Sequence, residues 1–443
     1  MAGLALARDL SRRHRVILFE STAHTGGRVR TEYDEGGVSY EAGAWRVDAG
    51  HVRVRREFRR YDVPLESAPR ASIASTATPS SPSPATATVA ASQWDAWAME
   101  GGFDFRAADE RDLGTGYAGI SESAYGSEPY KADGPFYVAP LGFSEWIRRL
   151  ERDVLERGVD VRRSTRVEDV VVRGSRYEIV CKRRRDNVFL KETHLVHHVI
   201  LCTPPSVWQD WPILKRYARS LSSAVEAEVL HHIYVQSAAP PTLSRVHSGQ
   251  NVVASLYDGS PWWQVSYSSG RVARYWHNLA LRGGSVFLNH LQAFLTTMSG
   301  GDERVERVKR HYWAFAFHKW RAVPNFRLKH AVRASIRVNP HTLPNVYCAG
   351  EALSSHQGWM EGALETAEMV RDALQGPPPD LPRANATSVL VEGRPVDVAS
   401  FVEVHPGSAK ALTSRFGQEV DEFMLQYHHS PHAWAIVHSR KLL

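Results

Sequence analysis

The residues whose types and spacing best suit chemistry are two histidines near the end of the chain. ASFVEVHPG (399–407) predicts a helix that Pro406 and Gly407 stop. The HPG sequence predicts a tight turn that holds the imidazole ring of His405 over a pocket. His429 follows 429 − 405 = 24 residues later, at the end of a predicted helix. Two neutral imidazoles that bind a haem iron from opposite faces leave no open coordination position, which suits electron transfer. Two alternatives stay open: His428 as the second ligand, or a solvated, histidine-rich helix end.

A second group of chemically informative residues lies near the start of the chain. RVILFE (15–20) predicts a strand that ends at Glu20, and Gly26-Gly27-Arg28 follows six positions later. In a dinucleotide-binding fold, an acidic residue at the end of the second strand accepts the ribose hydroxyls. Backbone N–H groups of glycines and a nearby cation face the phosphates. Gly3 would be the glycine that allows close packing of the first helix on a strand, whereas a simple turn at Gly26-Gly27 is the alternative.

A third group follows a short apolar strand, VYCAG (346–350). The strand ends at Gly350-Glu351, and a helix begins near Gly358 after a loop. The unpaired N–H groups and positive dipole end of such a helix suit the anionic part of a reduced flavin. Gly358 and Gly362 would allow the helix to approach a flat ring. The alternative is a strand–glycine–helix unit of any α/β enzyme.

These groups need a fold that brings them together. Strand-like segments such as HHVILCTPP (197–205) alternate with helix-like ones such as FSEWIRRLERDVLERG (143–158), which predicts an α/β domain with a largely parallel central sheet. The expected domains are a discontinuous nucleotide-binding domain, a second domain with a disordered Ser/Ala/Thr/Pro insertion, a Pro-rich linker and a small α+β tail. The first domain comprises residues 1–46, 140–205 and 335–375. The second comprises residues 47–139 and 206–334, with the insertion at 69–93. The linker spans 376–386, and the tail spans 387–443.

Composition narrows the classes of function. The net charge of the 443-residue chain is +6, and its one dense basic run, Lys182-Arg183-Arg184-Arg185, predicts a solvated hairpin turn and not a nucleic-acid site. The three cysteines show no CxxC spacing, which argues against a disulfide framework or a zinc site. No apolar run reaches the roughly 18 residues of a membrane span. We expect a cytoplasmic or organelle-stromal protein.

Most of residues 3–373 resembles the flavin-containing amine oxidase superfamily, which includes monoamine and polyamine oxidases. GGRVRT (26–31) and AGEALSSHQGWMEGALETA (349–367) resemble its two FAD-binding signatures. Further similar segments occur in the expected order: YEAGAWR (40–46), PLGFSEWIRRL (140–150), TRVEDV (165–170), ILCTPP (200–205) and WWQVSYSSGRVARYWHNL (262–279). The implied fold is a Rossmann-like FAD-binding domain interleaved with an α+β substrate domain.

The resemblance implies which residues hold the cofactor and the substrate. Trp359 would form one wall of an aromatic cage in front of the flavin, and Trp320 is the candidate for the opposite wall, with a core tryptophan as its alternative. The implied reaction is hydride transfer from a C–H group beside an amine nitrogen to flavin N5. The expected FAD contacts are Gly3, Glu20, Gly26, Gly27, Arg28, Gly43, Ala44, Val167, Gly350, Glu351, Trp359 and Met360.

Three features depart from the pattern of this superfamily. His231-His232 stand in EAEVLHHIYVQS (226–237), where its oxidases often carry a lysine, so a desaturase or isomerase-like enzyme that acts on a non-amine is the alternative. No cysteine lies between Cys202 and Cys348, so we expect non-covalent FAD. MAGLALARDL aligns from the third glycine of GxGxxG onward. We expect an upstream start and weak FAD binding by residues 1–443 alone.

The tail resembles a cytochrome b5 domain. GRPVDVASFVEVHPG (393–407) and YHHSPHA (427–433) carry the resemblance, together with the 24-residue interval. It implies that His405 and His429 are the axial ligands of haem b. The expected whole is an oxidoreductase in which electrons from an amine-like substrate pass from FAD to haem, with a further electron-transfer partner. A non-catalytic haem-binding protein with a degenerate flavin fold is the third alternative.

Overall fold

The computed structural model describes residues 1–67, 136–185, 188–237, 254–255, 261–299, 304–321, 328–376 and 385–441. The predicted insertion at 69–93 and residues 377–384 of the predicted linker lie outside these ranges. The helices are α1 (Ala2–Leu10), α2 (Val52–Arg60), α3 (Phe143–Glu156), α4 (Pro212–Tyr217), α5 (Arg219–Ser223), α6 (Gly270–Arg282), α7 (Gly284–Ser299), α8 (Leu328–Ser335), α9 (Met360–Gln375), α10 (Ala409–Thr413), α11 (Asp421–Gln426) and α12 (Pro431–Arg440).

The strands are mostly short. They are β1 (Ile17–Phe19), β2 (Thr31–Tyr33), β3 (Ser39–Glu41), β4 (Val47–Asp48), β5 (Glu66–Ser67), β6 (Phe136–Val138), β7 (Asp160–Arg162), β8 (Thr165–Arg173), β9 (Arg176–Arg185), β10 (Val188–Val196), β11 (Val199–Leu201), β12 (Val225–Ser237), β13 (Ala254–Ser255), β14 (Trp263–Ser269), β15 (Val305–Trp320), β16 (Arg337–Asn339), β17 (Leu343–Cys348), β18 (Ser388–Val391) and β19 (Arg394–Asp397).

Parallel pairing is confined to two places among the named strands of the described residues. β1 pairs with β7, and β11 pairs with β17. The remaining pairs are antiparallel, including the β8–β9–β10 sheet and the four-stranded sheet β13–β14–β12–β15. The expected largely parallel sheet is therefore reduced to two separate pairs, because short hairpin connections join strands in the antiparallel sense.

Two local expectations about secondary structure are wrong. The basic run Lys182–Arg185 belongs to β9 and not to a hairpin turn. All four residues pair with β10, and Lys182 and Arg183 also pair with Arg166 and Thr165 of β8. Its four side chains are exposed, as expected for a solvated run. The segment before His405 was expected to be a helix, but only Ala399–Phe401 forms one short 3-10 turn.

The helix α3 shows how the sequence builds the core around the predicted cofactor residues. Phe143, Trp146, Ile147, Leu150 and Val154 recur at helical spacing and are buried. They pack with Leu4 of α1 and with Met360 and Leu364 of α9 in one cluster. Gly3, Gly26 and Met360 therefore lie near helices that share a core.

The tail packs on the rest of the chain through α12. Val389, Val391, Val396, Val398 and Trp434 form its own apolar core. Lys441 and Glu392 form a buried ion pair at 2.7 Å, and Ser220 of α5 donates its backbone N–H to Glu392. Burial of such a pair is stabilising only while both partners are present. Among the described helices, none is long and apolar enough to cross a membrane.

Candidate functional site

Glu351 forms the centre of a buried charge network. Its carboxylate accepts a hydrogen bond from Arg28 at 2.7 Å, from His318 Nδ1 at 2.6 Å and from the backbone N–H of Gly358 at 2.8 Å. Burial alone would raise the pKa of Glu351, but Arg28 and His318 lower it to about 2. The carboxylate is therefore charged, and it joins the predicted signature around Arg28 to the one around Gly350.

Gly26 and Gly43 lie where the chain leaves no room for a side chain. Gly26 has a positive φ of 102°, and a Cβ there would approach Ile147 of α3 to 2.9 Å. A Cβ on Gly43 would come within 2.0 Å of the carbonyl oxygen of Arg28, and Ala44 donates its N–H to that same oxygen. Gly43 and Ala44 thus position Arg28. A direct contact of these two residues with a cofactor stays a prediction.

Five of the predicted cofactor residues line one cavity of about 1140 Å³. They are Gly3, Glu20, Gly26, Gly27 and Val167. The cavity runs between β1 and β11. A small adjoining recess is lined by Arg28, Gly350 and Glu351 and shares Cys202 and its two following residues with the cavity. Ligand pockets commonly span about 300–1,000 Å³, so this cavity is slightly larger than usual and has room for a ligand as large as a dinucleotide.

The donor and acceptor groups around this cavity fit FAD. Glu20 uses Oε1 to accept from the N–H and hydroxyl of Thr22, at 2.8 and 2.9 Å, which fixes its carboxylate at the end of β1. Gly350 has a φ of 144°, and a Cβ there would meet no atom within 4 Å, so that side of the backbone is open. Glu20 would hold the ribose, and Arg28 would supply a cation near the phosphates.

Trp359 lies in an aromatic cluster beside this network. Its ring is parallel to that of Phe136, with centroids 6.4 Å apart and planes within 11°, and His51 meets its face edge-on at 4.7 Å. The guanidinium of Arg46 lies 4.4 Å from the Phe136 centroid and 5.5 Å from that of Trp359. Met360 follows Trp359 as the first residue of α9 and is buried in the core.

Trp320 belongs to a different cluster. Its indole N–H donates to the carbonyl of Ser354 at 2.9 Å, and its ring stacks on His438 of α12 with planes within 12°. Only 1% of the Trp320 surface is exposed. The structure therefore does not bring the two predicted tryptophans together as facing walls, and Phe136 is the ring that lies parallel to Trp359.

Sequence reasoning missed three residues of this region: Arg46, Phe136 and His318. His318 contacts Glu351 across 33 positions, which no local pattern signals. Arg46 could have been found, since it is a lone cation in the otherwise apolar stretch AGAWRV. His231 and His232 are fully buried in β12, and burial lowers the pKa of each to about 3, so both are neutral.

The two histidines of the tail face each other across a gap. The ring centroids of His405 and His429 are 6.3 Å apart, and the ring planes lie within 21° of parallel. An imidazole–metal bond of about 2 Å and roughly one further ångström to each ring centre would place two such rings about 6 Å apart. The separation therefore suits one metal ion between them. His428, the other predicted candidate for the second ligand, is exposed and has a backbone φ of 50°.

Backbone carbonyls fix the protonation of both rings. His405 Nδ1 lies 3.3 Å from the carbonyl oxygen of Ser408, and His429 Nδ1 lies 3.1 Å from that of Met424. A carbonyl only accepts, so Nδ1 carries the proton and Nε2 keeps its lone pair for a metal. The exposed apolar side chains Val404 and Tyr427 lie next to the pair in the chain. Two neutral imidazoles with free Nε2 atoms are a donor set that suits a metal ion such as a haem iron.

A third cluster contains residue types that bind metals. Cys181, Glu192 and His194 have ligand atoms within 4.8 Å of one another. However, Arg162 donates to Glu192 at 2.7 Å and lies 3.0 Å from His194 Nε2. A guanidinium at that position repels a cation, so the cluster is better described as an ion-pair network.

Comparisons with known proteins agree with this geometry. The chain superposes on a redesigned triple mutant of putrescine oxidase with a TM-score of 0.59 and 14% identity, covering 84% of this chain and 97% of that one. Wild-type putrescine oxidase bound to putrescine superposes with a TM-score of 0.57 and 12% identity, covering 84% of this chain and 97% of that one. A candidate protoporphyrinogen oxidase from Exiguobacterium sp. 255-15 superposes with a TM-score of 0.54 and 13% identity, covering 84% of this chain and 96% of that one. No curated protein sequence matches the chain.

A family profile also matches most of the chain. The profile described as flavin containing amine oxidoreductase matches residues 1–98 and 127–372, which is more than half of the chain. It spans both signatures around Arg28 and Glu351 and ends before the tail. The chain therefore belongs to the flavin containing amine oxidoreductase family and is a flavin-dependent oxidoreductase.

Proposed function

We propose that the protein binds FAD non-covalently and oxidises the C–H bond next to the nitrogen of an amine-like substrate. The observation that supports this most is the join between the two predicted signatures: Arg28 and Gly358 both bond to the Glu351 carboxylate beside a cavity lined by Glu20. When bound, FAD would supply the hydride acceptor at N5. The chain would supply binding, orientation and exclusion of water.

The proposed cofactor contacts retain the predicted set, with roles that follow from placement. Glu20 holds the ribose, Val167 lines the far part of the cavity, and Arg28 with Gly26 and Gly27 neutralises the phosphates. Trp359 orients the substrate, and Phe136 is proposed as its partner because the two rings are parallel. Trp320 is proposed to position the loop after Glu351, since it bonds to Ser354 and Gln357.

A second candidate function is desaturation or isomerisation of a non-amine. It is favoured by His231 and His232, which are buried and neutral at the segment where a lysine was expected. A neutral imidazole does not supply the cationic group that a lysine would. Formation of an aldehyde and ammonia from amines would argue against this candidate.

We further propose that His405 and His429 bind haem b in the tail. The 6.3 Å ring separation and the two carbonyl bonds that leave Nε2 unprotonated support this proposal. The haem would supply a one-electron acceptor. The tail is proposed to stay docked on the body through Ser220 of α5, whose backbone N–H donates to Glu392 and whose hydroxyl accepts from Lys441. Both cofactors would then belong to one unit.

The absorption spectrum of purified protein tests both cofactors. After reconstitution with excess FAD, which the weak binding expected of residues 1–443 requires, flavin bands together with a Soret band are the expected result, and denaturation should release free FAD. Anaerobic mixing with candidate amines should then bleach the flavin and afterwards produce the α band of reduced haem. Flavin bleaching without haem reduction would contradict the relay, and a colourless protein after reconstitution would contradict the flavin function.

A further inference from the structure

The strand segments 182–185 of β9 and 188–191 of β10 carry apolar and basic side chains that the described part of the chain leaves uncovered. Val188, Phe189 and Leu190 are 57%, 65% and 43% exposed. The basic residues of both segments are exposed as well. We call these two segments the hairpin patch. None of its residues lines the cavity that contains Glu20, so the patch is distinct from the proposed flavin site.

The strand register places each of these apolar side chains beside a basic one. The cross-strand pairs are Val188–Arg185, Phe189–Arg184 and Leu190–Arg183. Paired residues of antiparallel strands point to the same face of a sheet, and successive residues along a strand alternate between the two faces. Both faces of the hairpin patch therefore present apolar and cationic groups side by side.

The positive charge of this region is only partly compensated. The sequence KRRRDNVFLK (182–191) contains five basic residues and one acidic residue. Glu168 of β8 lies 2.8 Å from Lys182. For Arg183 and Arg185, no acidic oxygen of the described residues lies within 4.0 Å of a side-chain nitrogen. The hairpin patch therefore keeps a local excess of positive charge.

One row across the sheet consists of three cations. Lys182 pairs with Lys191 of β10 on one side and with Arg166 of β8 on the other. Like charges directly opposite each other destabilise a sheet, and one carboxylate beside Lys182 does not offset three cations. A negatively charged surface would reduce this repulsion.

Protection of a sheet edge does not explain this arrangement. β10 is the outer strand of the β8–β9–β10 sheet, and natural edges are usually protected by charges on the outer strand itself. Here the outer strand carries the apolar residues Val188–Leu190, and most of the charge lies on β9. A nucleic acid would match the cations, but its phosphates offer no apolar contact. A bilayer with anionic headgroups offers both kinds of contact.

We propose that the hairpin patch binds the surface of a membrane that contains anionic lipids. The basic side chains contact the headgroups, and Val188–Leu190 enter the boundary between headgroups and acyl chains. A small apolar anchor alone gives weak, reversible attachment, and a polybasic segment strengthens it. The proposal is independent of amine oxidation and of both proposed cofactors.

Cosedimentation of the full-length protein with lipid vesicles tests the proposal. At about 0.1 M salt the protein should bind vesicles of phosphatidylcholine and phosphatidylserine but not vesicles of phosphatidylcholine alone, and more salt should release it. Arg183→Gln/Arg185→Gln should lower the vesicle partition coefficient on the order of 30-fold, at about fivefold for each basic side chain. Phe189→Ser should lower it about 10-fold and leave its salt dependence unchanged, because only apolar contact is lost.

Two matched controls separate the hairpin patch from general surface effects. Arg173→Gln/Arg176→Gln removes the same charge from exposed positions of the same sheet. Arg176 and Arg185 lie 185 − 176 = 9 positions apart in β9, which is about 30 Å and roughly three Debye lengths at this salt concentration. Leu281→Ser removes an apolar side chain that is 71% exposed on α6. Each control should change the partition coefficient less than about twofold.

Every outcome decides for or against the hairpin patch. Equal binding to the two kinds of vesicle, or an equal loss in the two double arginine variants, would overturn the proposal. Binding to duplex DNA that Phe189→Ser leaves unchanged, without binding to vesicles, would assign the patch to a nucleic acid and also overturn it. Should Arg183→Gln/Arg185→Gln lower the melting temperature, the comparison of vesicles with wild-type protein and Phe189→Ser still decides.

Discussion

The proposed flavin site and the proposed haem site are built in opposite ways. Arg28 and Glu351 of the flavin site lie 323 positions apart, and their bond forms only when the whole body has folded. His405 and His429 lie 24 positions apart, and each ring is oriented by a carbonyl at most five residues away. One site depends on long-range packing, whereas the other depends on local turns.

This difference predicts how far the effect of a substitution extends from each site. A substitution in the Glu351 network should lower the unfolding free energy of the body, because the carboxylate joins β15, the loop before α9 and the first signature. A change at one histidine should remove a ligand and leave the rest of the tail folded, since both rings are only half-buried. Each prediction below tests one side of this contrast.

The largest expected effect is on haem binding. His405→Ala or His429→Ala should abolish the Soret band, because one imidazole does not hold haem from both faces. His428→Ala is the matched control, since it is adjacent, exposed and not opposite His405. FAD content should be unchanged in all three variants. A Soret band that survives His429→Ala but not His428→Ala would reverse the assignment of the second ligand.

The next effect is on the stability of the body. Glu351→Gln removes the counter-charge of Arg28 and should cost about 3 kcal/mol of unfolding free energy at pH 7, measured by urea denaturation. Because the pKa of Glu351 is lowered to about 2, its contribution is complete above the ordinary carboxylate value near 4.5. The difference between wild type and variant should therefore shrink as the pH falls from 4.5 towards 2.

The control for this prediction is Glu178→Gln. Glu178 pairs with Arg173 at 2.7 Å, but Arg173 is exposed and Glu178 is only partly buried, so the loss should stay below about 1 kcal/mol. Equal losses in the two variants would contradict the central role of Glu351. Unchanged haem content in Glu351→Gln would support the separation of the two sites.

A smaller effect concerns pH and Glu41. Burial raises the pKa of this fully buried carboxyl to about 8, although Phe143 and Thr31 donate hydrogen bonds that oppose the shift. A raised carboxyl pKa means that stability is full below the ordinary value near 4.5 and falls as the pH rises through 8. Glu41→Gln should remove this slope and stabilise the protein at pH 8 by a few kcal/mol.

The tail should respond to pH in the opposite sense. Haem retention requires neutral imidazoles, and burial lowers the pKa of His429 below its ordinary value. Haem should therefore be lost only when the pH falls below the usual histidine range. Soret absorbance recorded between pH 4.5 and 8 would test this trend, and the difference in thermal stability between wild type and Glu41→Gln over the same range would test the role of Glu41. A difference that stays constant between pH 5 and 8 would contradict that role.

The same contrast explains what could be predicted from the sequence. The core face of α3 and the turn at His405 follow from local spacing and turn chemistry. Trp320 illustrates the limit, because the partner of its ring is His438, which lies 118 positions further along the chain. Gly43 illustrates another limit. A glycine there indicated that another part of the chain lies close to its Cα, but only the fold shows that this part is the backbone of Arg28.

The smallest effects should come from the backbone beside each haem ligand. Ser408 and His428 adopt positive φ angles of 83° and 50°, which cost side-chain-bearing residues about 1 kcal/mol or more. Ser408→Gly and His428→Gly should therefore each stabilise the holo-tail by about 1 kcal/mol, seen as a higher temperature of haem release. Gly407→Ala should act oppositely, since a Cβ there would lie 2.9 Å from Cε1 of His405. If all three changes lower the release temperature, these turns do not set the ligand geometry, and local construction of the haem site would be wrong.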